Sequence, residues 1–263
     1  MSDPKTISSK DLKPIIGSWP YESGQINVRK IRGENNQVKI QMRVDLGILQ
    51  IEPHGRPDGQ RPHHYESLLE YHQKECHDYI ERNGTDLGFT LNADECQGLR
   101  EEAVQYYKRY LANFVLEDYD AVIRDTQRNL DVLDFCTKYA EDEADQLAME
   151  QYRPYIIMMN TRSKGLLSMD HGAYRTALVH VENGLTTIKD FFERFGMPHA
   201  FRMSGEVKVL KALRRQVRGF LPVDPIRKLK SQLNRALRNE RYEEAARLRD
   251  ELNTMLQEPN ETK

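Results

Sequence analysis

DPIRKLKSQLNRALRNERYEEAARLRDELNTM, residues 224–255, carries two apolar stripes divided by one polar interruption. Ile226, Leu229, Leu233 and Leu237 recur at three- and four-residue spacing, the period of a helix. Asn239-Glu240-Arg241 then breaks the pattern. Asparagine tolerates the left-handed conformation that ends a helix and also caps the next one. A second stripe follows in Tyr242, Ala245, Leu248 or Arg249, Leu252 and Met255. The spacing predicts an antiparallel helical hairpin. Ala236, Ala245 and Ala246 lie near its turn, where the arms come closest and side chains must be small. Glu243, Arg247 and Glu251 follow one another at four-residue intervals on the outer face. Each such pair adds only about 0.2–0.5 kcal/mol. Upstream, Leu221-Pro222-Val223-Asp224-Pro225 is a stiff break, with Asp224 a candidate cap for the helix that Pro225 starts.

A hairpin this small buries too little surface to be stable alone. It must dock on the rest of the chain or present its stripe to another. The proline-rich break favours a semi-independent interaction module. The candidate partner-binding residues are Ile226, Leu229, Leu233, Ala236, Tyr242, Ala245, Ala246, Arg249 and Leu252.

Ala236, Asn239-Glu240, Tyr242, Glu243-Glu244, Ala245-Ala246 and Leu248-Arg249-Asp250 together resemble the UVR motif, named for the B and C subunits of the bacterial excinuclease. Tyr242 departs from the usual phenylalanine, and Arg241 stands where an acidic residue is common. The resemblance implies protein–protein contact and no catalytic role. In the excinuclease the motif joins one subunit to the other, and similar motifs occur in Clp-type unfolding ATPases and in activators of bacterial protein arginine kinases. Residues 26–62, INVRKIRGENNQVKIQMRVDLGILQIEPHGRPDGQRP, also look like those of uncharacterised bacterial proteins that end in a UVR motif. The helicase and nuclease domains of the excinuclease are not matched, since no GxxxxGK[ST] phosphate-binding run occurs.

The charge of the chain is uneven. Arg202 to Asp250 carries a net +8, so the remainder carries −10 within an overall −2. A basic C-terminal part on an acidic body suits a negatively charged partner or self-association. The three cysteines, Cys76, Cys96 and Cys136, are odd in number and far apart, which fits a reducing compartment. No signal-like core and no membrane-length apolar run is present, so a cytoplasmic protein is expected.

The body reads as mainly α with a small N-terminal antiparallel sheet. Residues 1–20 are a polar arm that lays Ile15, Ile16 and Trp19 on the body. In VKIQMRVDL, Val38, Ile40, Met42, Val44 and Leu46 alternate with polar residues, which predicts a half-buried strand. INVRKI supplies its hairpin partner across the turn residues GENNQ, and ILQIE a third strand. A helix must cover the apolar face. Residues 21–90 hold this sheet and a helix over 65–82, with Tyr65, Leu68, Leu69, His72, Cys76 and Tyr79 inward. Residues 91–200 are a body of helical hairpins. Asn92 with Glu95 predicts a capping box, and Leu99, Val104, Tyr107, Leu111 and Phe114 or Val115 the buried face behind it. Helices follow over 118–139, over 142–168 with a kink at Pro154, and over 172–195.

YDAVIRDTQRNL from Tyr119 and YRTALVHVENGL from Tyr174 echo each other at an offset of 55 residues. The second copy resembles the helix-turn-helix of tetratricopeptide repeats, with Gly165 and Gly184 allowing close helix approach. Residues 201–222 are a basic helix and linker, 223–257 the UVR-like hairpin and 258–263 a tail. Val207, Leu210, Leu213 (or Arg214), Val217 and Phe220 form the stripe of the basic helix. Arg214, Arg215 and Arg218 are its candidate anion-binding residues.

Catalytic chemistry has little support. Five histidines, His54, His63, His64, His72 and His77, cluster near Cys76. His72 and Cys76 share a helix face, but neither a C-x-x-C pair nor H-E-x-x-H accompanies them. The 56–62 loop offers Arg56 and Arg61 to an anion, against the plainer role of bracing the loop over the sheet. No catalytic, cofactor or metal residue is assigned. The expected function is a non-enzymatic adaptor that binds a protein, or a second copy of itself, through 223–257. The alternatives are a repair-associated accessory that binds nucleic acid through the basic segment, and an enzyme or metal protein built on the histidine-rich loop.

Overall fold

The computed structural model describes residues 11–33, 36–222 and 225–257. The first ten residues of the expected arm, the turn residues Glu34 and Asn35, the candidate cap Asp224 and the tail 258–263 lie outside the described residues. The protein is mainly helical with a small antiparallel sheet. It divides into two compact units, 1–215 and 216–263.

The first unit opens with a one-turn helix, α1 (Lys13–Ile16). Ile15 is exposed, while the Arg29 guanidinium lies 4.1 Å above the Trp19 ring and Arg43 Nε donates to the Trp19 carbonyl at 2.9 Å. Three strands follow in the order β1 (Asn27–Arg32), β2 (Val38–Val44) and β3 (Gly47–Ile51), all antiparallel. Val28 pairs with Met42 and Ile40 with Ile51, so the expected alternation places Ile40, Met42 and Ile51 in one core. The two ends of the pattern depart from it, because Val38 and Leu46 are exposed. Gln41 and Arg43 on the opposite face are also buried, Gln41 through hydrogen bonds with Arg29 and Gln50.

Ser67 caps α2 (Leu68–Asn83), and Gly84 ends it in the left-handed conformation. Tyr65 therefore precedes the helix, whose buried residues are Leu69, His72 and Cys76. Asn92 and Glu95 form the predicted capping box of α3 (Ala93–Val115). The end of α3 supplies the cover for the sheet, through Leu111, Ala112 and the following Leu116. Its buried face differs from the expected one. Leu99 is buried as expected, but Val104, Tyr107 and Val115 are exposed, whereas Cys96, Glu102, Ala103, Tyr106, Arg109, Tyr110 and Asn113 are buried. Polar residues occupy the inner stripe, so a search for the most apolar face turns the helix away from its true core.

After α4 (Tyr119–Tyr139) the chain makes a short α5 (Glu143–Leu147) and a 3-10 turn before α6 (Arg153–Asp170). Pro154 thus begins a helix instead of kinking one, because its missing N–H costs nothing in a first turn. Then come α7 (Tyr174–Arg194), α8 (Pro198–Met203) and α9 (Gly205–Phe220), and the boundary between the units falls within α9. Val207, Leu210 and Leu213 of the predicted stripe are buried, while Phe220 is largely exposed. No described helix is long and apolar enough to cross a membrane.

The internal echo has a structural counterpart. The helices α4 and α7 both have 21 residues, and each begins at the tyrosine of the echo. The positions 122/177, 126/181, 129/184, 133/188 and 136/191 are buried in both. Each helix also follows the same type of turn. The Asp118 N–H donates to the Asn113 carbonyl at 2.9 Å, and the Ala173 N–H to the Ser168 carbonyl at 2.8 Å, around Glu117 and Gly172 with φ of 58° and 69°. The long helices pack in chain order, α3 on α4, α4 on α6 and α6 on α7.

Close approach of α6 and α7 depends on Gly184. A Cβ there would lie 2.2 Å from Thr161 Oγ1, and one at Gly165 3.1 Å from Leu213 Cδ2. Overpacking of this kind costs about 1–3 kcal/mol. Gly184→Val is expected to lower the urea midpoint accordingly, and an unchanged midpoint would show that the helices part freely.

Candidate functional site

In the second unit, α10 (Pro225–Arg238) and α11 (Tyr242–Gln257) form the predicted hairpin. The turn differs in one detail. Glu240, not Asn239, takes the left-handed conformation, with φ of 57°. The Arg241 N–H reaches the Ala236 carbonyl at 2.9 Å and the Glu240 N–H the Leu237 carbonyl at 3.1 Å, satisfying the last carbonyls of α10. The first bond of α11 runs from the Ala245 N–H to the Arg241 carbonyl at 2.9 Å, so Asn239 does not cap it.

The hairpin closes its own seam. Leu229, Ala236, Ala245, Leu248 and Leu252 are buried together, with Ile226 and Leu233 packed against them. Most of the predicted partner-binding stripe therefore holds one arm to the other. Tyr242, Ala246 and Arg249 are exposed instead. Among the described residues of the hairpin, Leu237 at 49%, Tyr242 at 68%, Met255 at 39% and Leu256 at 56% are the large apolar side chains that stay exposed outside the seam. Among the described residues the ion pairs join Arg241 to Glu244 and Arg249 to Asp250, in place of the expected Glu243–Arg247–Glu251 ladder. The arms also differ in charge. The sequence of α10 has five cations and no acid, while α11 has four acids and two cations. Of the candidate anion-binding residues, Arg214 pairs with Glu182 at 3.2 Å, and Arg215 and Arg218 are exposed.

The first unit holds a polar centre that the sequence reading missed. Arg109 is 1% exposed and grips Asp125 with two hydrogen bonds, Nε to Oδ2 at 2.7 Å and Nη2 to Oδ1 at 2.8 Å. Its Nη1 donates to the carbonyls of Glu52 and Gly55 at 3.0 and 2.6 Å. Beside it Glu102, equally buried, accepts from the Leu68 N–H at 2.8 Å and from Arg128. Arg128 lies 3.8 Å over the Tyr106 ring, with Arg109 at 4.7 Å from the same ring. Burial, and then the neighbouring Arg56, weakens the hold of Arg128 on its proton. The recurrence of Glu102, Arg109 and Asn113 at helical spacing among small and aromatic residues was the available signal.

The 56–62 loop is braced as its plainer reading holds. Arg56 lies 3.2 Å from Asp58 and 3.6 Å from Glu102, while Arg61 is exposed near Glu66. The histidine-rich stretch is an aromatic cluster. His63 stacks on Tyr71 at 4.1 Å, with His72 buried behind it. No group of three or more potential metal ligands occurs among the described residues.

Between the sheet and the α3–α4 turn lies a cavity of about 530 Å³. Val38, Ile40, Pro53 and Ala121 provide its apolar lining, and Lys30, His54, Asp118, Asp120 and Arg124 its polar rim. Asn113 lines it too, 1% exposed, with neither side-chain nitrogen nor oxygen hydrogen-bonded. An unmet buried polar group costs about 1–3 kcal/mol.

Residues 224–257 match the family model described as the UvrB/uvrC motif. No curated protein and no solved structure gives a significant match to the chain.

The polar centre makes two predictions. Arg109→Met should lower the unfolding free energy by about 3–5 kcal/mol, because it strands a buried carboxylate. The double change Arg109→Met with Asp125→Leu should recover only part of that loss in a urea titration, because it removes the stranded carboxylate but leaves the Glu52 and Gly55 carbonyls without their donor. His72 is lowered from its ordinary pKa chiefly by burial, with Glu95 opposing and His63 adding. Its folded pKa thus lies below the unfolded value of about 6.5, so the unfolded chain takes up the proton first as pH falls. Stability should decline as pH drops below about 6.5, and His72→Leu should flatten that slope. An equal slope in both proteins would rule His72 out as its source.

Proposed function

We propose that this chain is a non-catalytic cytoplasmic adaptor that docks a protein partner through its C-terminal hairpin. The motif that residues 224–257 match is known from DNA-repair proteins and mediates contact with protein or DNA. The observation that carries the protein reading is the division of the hairpin's apolar residues. A small seam holds the arms together, and Leu237, Tyr242 and Leu256 remain outside it. Two helices with so small a core are marginal alone, so a bound partner adds the burial they lack. The opposite charges of the two arms suit a helical hairpin of the same kind, its basic arm set against the acidic arm. Free thiols at all three cysteines fit a reducing compartment.

The test is an affinity capture with the full chain, a chain ending at Leu221, and the double variant Leu237→Ser with Tyr242→Ser. These two side chains are outside the seam, so the hairpin should keep its helicity while the partner is lost. Ala245→Leu, within the seam, should instead melt the hairpin itself. Undiminished capture by both the truncated chain and the double variant would refute the reading.

A second reading rests on α10, whose five cations face no acid within that helix. It assigns the basic arm to nucleic acid. Such binding must weaken steeply as salt rises. A gel-shift series without retardation at low salt would remove it.

A further inference from the structure

We propose that the cavity between the sheet and the α3–α4 turn binds a small neutral ligand through a carboxamide or lactam edge. Its volume, about 530 Å³, lies within the range of small-molecule sites, and its mixed lining suits one. The deciding residue is Asn113. Its backbone carbonyl already closes the turn by accepting the Asp118 N–H at 2.9 Å. Its side chain takes no part in that turn, yet it is 1% exposed and unpartnered at both ends. Native folds satisfy nearly all such groups. A primary amide offers a donor and an acceptor side by side, and another amide or lactam edge meets both at once.

The charged rim argues against an anion. Lys30 pairs with Asp118 at 3.2 Å, and Arg124 is held by Asp125 at 3.1 Å and by the Pro53 carbonyl at 3.1 Å. Asp120 adds a further negative charge. The cations are therefore compensated, and Val38, Pro53 and Ala121 offer apolar contact to the body of a flat, neutral molecule.

The experiment uses the full chain with uracil and nicotinamide as probes and benzoate as the control without a donor. In ¹H–¹⁵N spectra, at least one of the two probes should shift the Asn113 side-chain NH₂ signals at millimolar concentration, and benzoate should not. Asn113→Leu should weaken that binding at least about tenfold, as loss of paired hydrogen bonds predicts. The same variant should raise the melting temperature of the free protein, because it removes an unmet amide. Silence from both probes, equal response to benzoate or undiminished binding by Asn113→Leu would overturn the proposal. So would a lower melting temperature for Asn113→Leu, which would mark the amide as structural, satisfied by a trapped water.

Discussion

The first unit depends on one buried ion pair. Arg109 and Asp125 join α3 to α4 through two short hydrogen bonds, and the remaining nitrogen of the guanidinium holds the chain just beyond β3. Three parts of the unit thus meet on one side chain. An apolar contact could hold the helices together, but it could not satisfy the carbonyls of Glu52 and Gly55, which bend away from the sheet. A buried charge pair is costly to desolvate, so its effect is less on net stability than on alternatives. Any other register of α3 on α4 would leave a guanidinium or a carboxylate unpaired in the core.

That constraint also shapes the cavity. Pro53 and His54 lie between the carbonyls that Arg109 holds, and Arg124, next to Asp125, fixes the Pro53 carbonyl as well. The wall of the cavity is therefore set by the polar centre and not by loop flexibility. The C-terminal hairpin follows a different principle. Its seam is a short row of leucines and alanines, and its turn is closed by backbone hydrogen bonds around a non-glycine left-handed residue. Such a unit is held by little more than helix packing.

Much of the fold was legible from local pattern. The alternation in 38–46 located β2, Asn92 with Glu95 located the start of α3, and the leucine spacing after Pro225 located the hairpin. These are short-range effects, written in neighbouring residues. The misreadings have one cause each. Hydrophobicity alone selects the wrong face of α3, because Glu102, Arg109 and Asn113 are buried where it expects apolar side chains. Pro154 reads as a kink in the sequence because a helix start and an interrupted helix share the same local signal.

By itself the sequence determined the three strands, most of the long helices, the doubled Tyr119 and Tyr174 helices, and the UVR-like character of residues 223–257. Those features follow from periodicity, caps and turn residues within a few positions of each other. Only the tertiary structure decided which helix face is buried, that the hairpin stripe is shared between its own arms, and that Asn113 lies unpaired beside a cavity. These outcomes depend on partners distant in the chain, such as Arg109 with Asp125 or Gly184 with Thr161. A polar residue looks the same in sequence whether water or a buried counter-charge completes it, and only the fold supplies the difference.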